Sequence, residues 1–436
     1  MNESHTSDTP LGNIPLGISG FTYRELHQPA RLAALLEEFD RALEADDPEL
    51  FHTYQAYRAE RGQGFTATQI SDLLVRVAPY VGQFLARLFG IEAERAAAME
   101  ATGNAFDTLF CYRREVVQVV EKMFSAQGLS GWDPQVLERD LQLLKQIVLP
   151  ELIEILDPEQ STSTLATHLL RLEKDCKASE LENTPLSTDA KYPLRRLRQA
   201  IEDNIAAKSA FADALAEAQP GAFLSHLLGI VYRWSYAAQH HPKLKGSVEG
   251  WVSFKRPGRV EFDKLVAHRC QEHSTHQTLA IPETQLRRRD GFALTDRRFD
   301  TRQVLYEVDH CIYCHDRDRD SCSKGMRKKD GSWRTNPLGV TLIGCPLEEK
   351  ISEAHVLKRR GDDIAALALI TVDNPMVPGT GHRICNDCMK GCIYQKVEPV
   401  NIPQIETNIL TSVLSMPYGF EIYSLLTRWN PLNPER

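Results

Sequence analysis

Seven cysteines crowd one stretch of this 436-residue chain: Cys311, Cys314, Cys322, Cys345, Cys385, Cys388 and Cys392. Their spacing is C-x2-C-x7-C-x22-C-P, then C-x2-C-x3-C. Thiolates are soft ligands, suited to iron–sulfur clusters and to zinc. A C-x2-C pair sets two sulfurs on one tight turn, close enough to hold one cluster or one ion. Cys345-Pro346 is a further cue, because in two-cluster iron–sulfur proteins the cysteine before a proline ligates the other cluster. Seven thiols fall one short of two complete sets, so a non-cysteine eighth ligand is expected. The competing chemistry is structural zinc, with Cys311 and Cys314 paired to Cys385 and Cys388. A gap of about 70 residues between the pairs is long for a zinc ribbon, and one zinc leaves Cys322, Cys345 and Cys392 without a role.

The remaining cysteines, Cys111, Cys176 and Cys270, have no close partners and read as ordinary thiols. Clustered cysteines without a secretory leader point to metal in a reducing compartment rather than to disulfides, so a cytoplasmic location is expected. The net charge of −8 excludes a strongly basic nucleic-acid or anionic-membrane binder. No apolar run reaches the roughly 18 residues of a membrane span.

The elements that must position these thiols are helices. Leu32, Leu35, Leu36, Phe39 and Leu43 share one helical face, and Ile70, Leu73, Leu74, Val77, Val81, Phe84, Leu85 and Leu88 repeat it over five turns. Similar patterns continue to residue 239. The expected organisation is a flexible lead-in (1–20), an all-α domain (21–240) and an irregular connector (241–302). In the connector, Trp251–Phe254 and Val260–Phe262 flank Pro257-Gly258 as a candidate hairpin. Arg287, Arg288 and Arg289 read as a solvated loop. The cysteine-bearing domain (303–411) follows, then a C-terminal helix with a linker-like, proline-rich tail (412–436). Within the cysteine domain, Gly361 can end one helix and Asp362 cap the next.

Residues 303–411 resemble the N-terminal iron–sulfur domain shared by the small subunit of bacterial glutamate synthase and by dihydropyrimidine dehydrogenase. The resemblance is carried by Gly344-Cys345-Pro346-Leu347, Arg360-Gly361-Asp362, Asn374-Pro375, Thr380-Gly381, the Cys385/Cys388/Cys392 set and Glu398-Pro399-Val400-Asn401-Ile402. It implies a mainly α fold: an N-terminal helical bundle followed by a C-terminal alpha-helical ferredoxin-like domain with two [4Fe–4S] clusters. It further implies interleaved ligation, one cluster on Cys311, Cys314, Cys322 and Cys392 and the other on Cys345, Cys385, Cys388 and Glu406, with Gln404 as the alternative eighth ligand. The chain departs from the family in its x7 gap before Cys322, where His315 is a competing donor. It departs again in its 22-residue insert, Ser323 to Gly344, which holds Lys324, Arg327, Lys328, Lys329, Trp333 and Arg334. That insert reads as a partner-docking flap or as a solvated loop.

In the resembled enzymes such a domain works with FAD and NAD(P)H, which need a G-x-G-x-x-G turn between strand and helix. This chain has none. The expected function is therefore an electron-transfer module of an oxidoreductase. It would pass electrons between a flavoprotein partner, or a missing downstream domain carrying FAD and NAD(P)H, and an electron acceptor that the sequence does not identify. The alternative is a scaffold or regulatory protein whose metal sites are structural.

Overall fold

The computed structural model describes residues 14–435 except 153, 155, 183, 267, 274, 284–285, 287–290, 293–296, 318 and 382–383. Arg287, Arg288 and Arg289 thus lie outside the described residues. The chain is mainly helical, as the periodicity predicts. No helix among the described residues is long and apolar enough to cross a membrane.

The chain divides into two units, but not where the sequence suggests. One unit takes the described residues up to Gly103 together with those from Pro257 onward; the other is Asn104–Arg256. The expected single domain over 21–240 is therefore split. The cause lies in the helix Ala67–Phe89, which buries 12 of its 23 residues, more than one neighbouring helix can cover. It packs against both Pro48–Ala59 and Asp363–Asp373. Leu74, Val77, Val81 and Leu85 share one core with Ile364, Leu367, Ile405 and Ile409. Each such side chain contributes about 1.5–3 kcal/mol when buried, enough to outweigh proximity along the chain. Buried polar contacts fix the register: Ser71 Oγ donates to Glu353 Oε1 at 2.6 Å, and Arg95 forks onto Asp362, with Nε 3.0 Å from Oδ1.

Two further expectations change. The segment after the Gly419–Leu426 helix is no linker. Trp429 and Leu432 are buried, Tyr54 donates its hydroxyl to Pro431 O at 2.8 Å, and Asn430 Nδ2 donates to Ala368 O at 2.7 Å. Two apolar anchors among prolines suffice to seat it. The hairpin around Pro257-Gly258 also does not form. Trp251 instead packs on Trp234, with ring centroids 5.7 Å apart, while Gly258 O accepts the Glu398 N–H and Val260 N–H donates to Lys396 O. Packing a half-buried tryptophan on the core outweighs an isolated two-stranded ribbon, which is marginal in water. Among the described residues the strand pair that does form is Arg269–Glu272 with Gln277–Ala280, antiparallel.

The second unit is a helical bundle with its own core. Pro220–His240 packs against Pro158–Leu181 and Pro134–Val148, burying Leu224, Leu227, Leu228 and Val231.

Candidate metal centre

The helix Thr301–His310 opens on an Asp300 capping box and delivers Cys311 at its C-cap. Tyr313 then takes a left-handed backbone (φ +52°), which turns the chain so that Cys314 starts a short 3-10 turn. Cys322 lies in the short helix Ser321–Lys324, and Cys392 follows the helix Asp387–Gly391. Despite their separation in sequence, Cys311, Cys314, Cys322 and Cys392 line one small cavity. Backbone donors face these sulfurs: the Tyr313 N–H meets Cys311 Sγ at 3.5 Å, and the N–H groups of Ile393, Tyr394 and Val400 bond Cys392.

A second group assembles from the other four residues. Cys388 feels the charges of Glu406, Cys345 and Cys385. Cys345 feels Glu406, which in turn feels Cys385. The N–H groups of Glu349 and Leu347 bond the Cys345 sulfur. Glu406, half-buried on the helix Ile402–Leu414, hydrogen-bonds the carboxyl of Glu349. Glu349 also accepts from Asn374 Nδ2 at 2.8 Å.

The two groups meet directly. Cys345 donates its N–H to Cys322 O at 2.8 Å. The 22-residue insert closes on itself there, so its length does not displace Cys322. A Cβ on Gly344 would collide with the Gly325 backbone, and one on Gly391 would sit 2.7 Å from Ser321 O and 3.0 Å from Gly344 Cα. Only glycines permit so close an approach.

Burial dominates the electrostatics. It pushes the Cys311 thiol up to about 12 and the Cys314 and Cys345 thiols up to about 11, and raises those of Cys322, Cys388 and Cys392. Burial and then the neighbouring Glu349 charge raise Glu406 well above the usual carboxyl range, and burial raises Glu349 as well. All ten cysteines are free thiols. Among the described residues, no three His, Cys, Asp or Glu side chains converge as ligands of a single metal ion. An iron–sulfur cluster is larger than an ion and holds its thiolates farther apart. The donor set fits such a group: four thiolates in one set, three thiolates and a carboxyl in the other, with backbone N–H groups facing sulfur in both.

Gln404 is not free to act as the eighth ligand. Its Oε1 accepts the Phe299 N–H at 3.0 Å and its Nε2 donates to Arg297 O at 3.2 Å. His315 is likewise committed, with Nδ1 2.6 Å from Ser352 Oγ and Nε2 3.1 Å from Asp316 Oδ1. Sequence reasoning missed Glu349, Ser321 and His355. Among the described residues, Ser321 Oγ and His355 Nδ1 are buried without a hydrogen-bond partner, and both residues line the first cavity. For Glu349 the available signal was its place four residues after Cys345. For Ser321 it was adjacency to Cys322. His355 carried none, because its role depends on which helix face meets the cavity.

A family model described as the RP005 N-terminal alpha-helical domain matches residues 16–90. A 58-residue stretch is 74% identical to the uncharacterized protein RP006 of Rickettsia prowazekii (strain Madrid E), covering 13% of this chain and 8% of RP006. An 87-residue stretch is 37% identical to the uncharacterized protein RP005 of the same organism, covering 18% of this chain and 29% of RP005. The chain thus spans less than a third of either relative. No solved structure matches. These findings overturn the resemblance to the glutamate synthase small subunit and dihydropyrimidine dehydrogenase. The matching family model lies outside 303–411, no ferredoxin or glutamate synthase family model matches, and the relatives are uncharacterized proteins. The motifs that carried the resemblance are helix caps, tight turns and cysteine loops, which local backbone needs produce in unrelated chains.

Proposed function

We propose that this chain is an electron-transfer protein holding two [4Fe–4S] clusters, one on Cys311, Cys314, Cys322 and Cys392 and one on Cys345, Cys385, Cys388 and Glu406. The ferredoxin-like, two-cluster character of its C-terminal half belongs to the same proposal. The observation that carries it is the sorting of eight residues from interleaved segments into two sets of four. Bound there, a cluster would supply reversible one-electron storage. The chain's own residues would supply the rest: thiolates that are buried or half-buried apart from the exposed Cys385, backbone N–H groups that stabilise sulfur charge, and apolar walls around the first set. The Cys322–Cys345 hydrogen bond joins the two sets. The partners proposed are a flavoprotein carrying FAD and NAD(P)H and an electron acceptor, with this chain relaying between them.

The test is anaerobic reconstitution with iron and sulfide, followed by metal analysis. The proposal expects about eight irons per chain and visible absorption that dithionite bleaches; fewer than about six, or zinc in their place, overturns it. Iron that dithionite does not reduce would mean a structural role instead.

A further inference from the structure

The excursion between Cys322 and Cys345 has a structure of its own. Met326 donates its N–H to Leu342 O at 2.8 Å, Arg334 to Met326 O at 2.9 Å and Leu342 to Arg334 O at 2.9 Å. These bonds tie three short extended runs into a flap whose root is the Gly325–Gly344 contact. Met326 and Leu342 are buried, whereas Leu338 is 56% and Val340 38% exposed. The flap carries Lys324, Arg327, Lys328, Lys329 and Arg334 against one acid, Asp330, a net +4 on a chain of net −8. All five cations are exposed, and none forms an ion pair among the described residues. Arg327 lies over the Trp333 ring, 3.6 Å from its centroid.

We infer that this flap is the docking surface for an acidic redox protein, the partner that exchanges electrons with the two cysteine sites; the inference rests on the proposal that those sites hold clusters. A basic island on an acidic body attracts an acidic partner to one place and repels it elsewhere. Exposed apolar residues beside the charges give the contact a desolvated centre. The flap springs from the Cys322–Cys345 hydrogen bond, so a partner seated on it is tethered to the junction of the two cysteine groups.

The test uses two acceptors of opposite charge, an acidic flavodoxin and basic cytochrome c. Dithionite-reduced, reconstituted protein gives one electron either to the oxidised flavin, which also takes one proton from water, or to ferric haem. The charge-reversed variant Lys328→Glu/Lys329→Glu is compared with the charge-preserving Lys328→Arg/Lys329→Arg. At low salt, charge reversal should slow flavodoxin reduction at least about tenfold while cytochrome c reduction is unchanged or faster. The arginine variant should match the parent. Near 1 M salt, where screening acts over roughly 3 Å, the difference should vanish. Rates that shift equally for both acceptors, or not at all, overturn the docking surface. Calorimetric titration of flavodoxin onto iron-free protein keeps the two ideas separate. Salt-sensitive binding lost in the charge-reversed variant supports the flap even if no cluster forms, and no binding to either form overturns it.

Discussion

Cys345 and Cys322 are joined by a backbone hydrogen bond of 2.8 Å, although 22 residues lie between them. Each belongs to a different cysteine group. The two groups therefore share a backbone junction, while the proposal assigns their side chains to separate sites.

That separation makes Cys345→Ala informative. The variant should lose about half of the reconstituted iron, from the site of Cys385 and Cys388, because removing one of four ligands opens that cluster. Cys314→Ala should lose the other half. Iron and sulfide analysis with electron paramagnetic spectra would distinguish the two; equal loss from both sites in each variant would contradict interleaved ligation.

Glu406 and Gln404 should respond differently, although they are two residues apart. Glu406→Ala should cost iron at the second site. Gln404→Ala should retain its iron but lose about 1–2 kcal/mol of stability, because both ends of its amide are hydrogen-bonded. Iron content beside a urea melt reads both outcomes.

Lys145 gives a pH signature in the Asn104–Arg256 unit. It is 2% exposed, and burial lowers its pKa from 10.5 to about 8, against the opposing charges of Glu138 and Asp157. Below pH 8 the lysine is charged in both folded and unfolded chains, and the folded state bears the full desolvation cost. Between about 8 and 10.5 the unfolded chain holds a proton that the folded chain has released, so stability rises with pH across that window. Lys145→Met should stabilise the unit by about 1–3 kcal/mol at neutral pH and flatten this rise, measured by denaturant melts at pH 7 and pH 10.

Gly361→Ala should destabilise the other unit by roughly 1–3 kcal/mol. Gly361 has φ +76°, and a Cβ there would lie 2.8 Å from Met99 Cα. Thermal melts that shift by less than a degree would show that the turn adapts.

Much of this protein is readable without coordinates, for physical reasons that are local. Helices over 29–46 and 67–89 follow from apolar spacing, because a 3.6-residue period is a property of the chain itself. Gly361 and Asp362 announce a helix end and the next start, since left-handed backbone and an unpaired N–H each need a particular residue type. Tertiary structure decided the rest. It set Ala67–Phe89 against Asp363–Asp373, seated Trp429 and Leu432 in the core, and chose which thiols share a cavity. It occupied Gln404 and His315 with hydrogen bonds and placed Glu349 against Glu406. These outcomes depend on surfaces distant in sequence competing for burial and for hydrogen-bond partners, and that competition is resolved only when the whole chain packs.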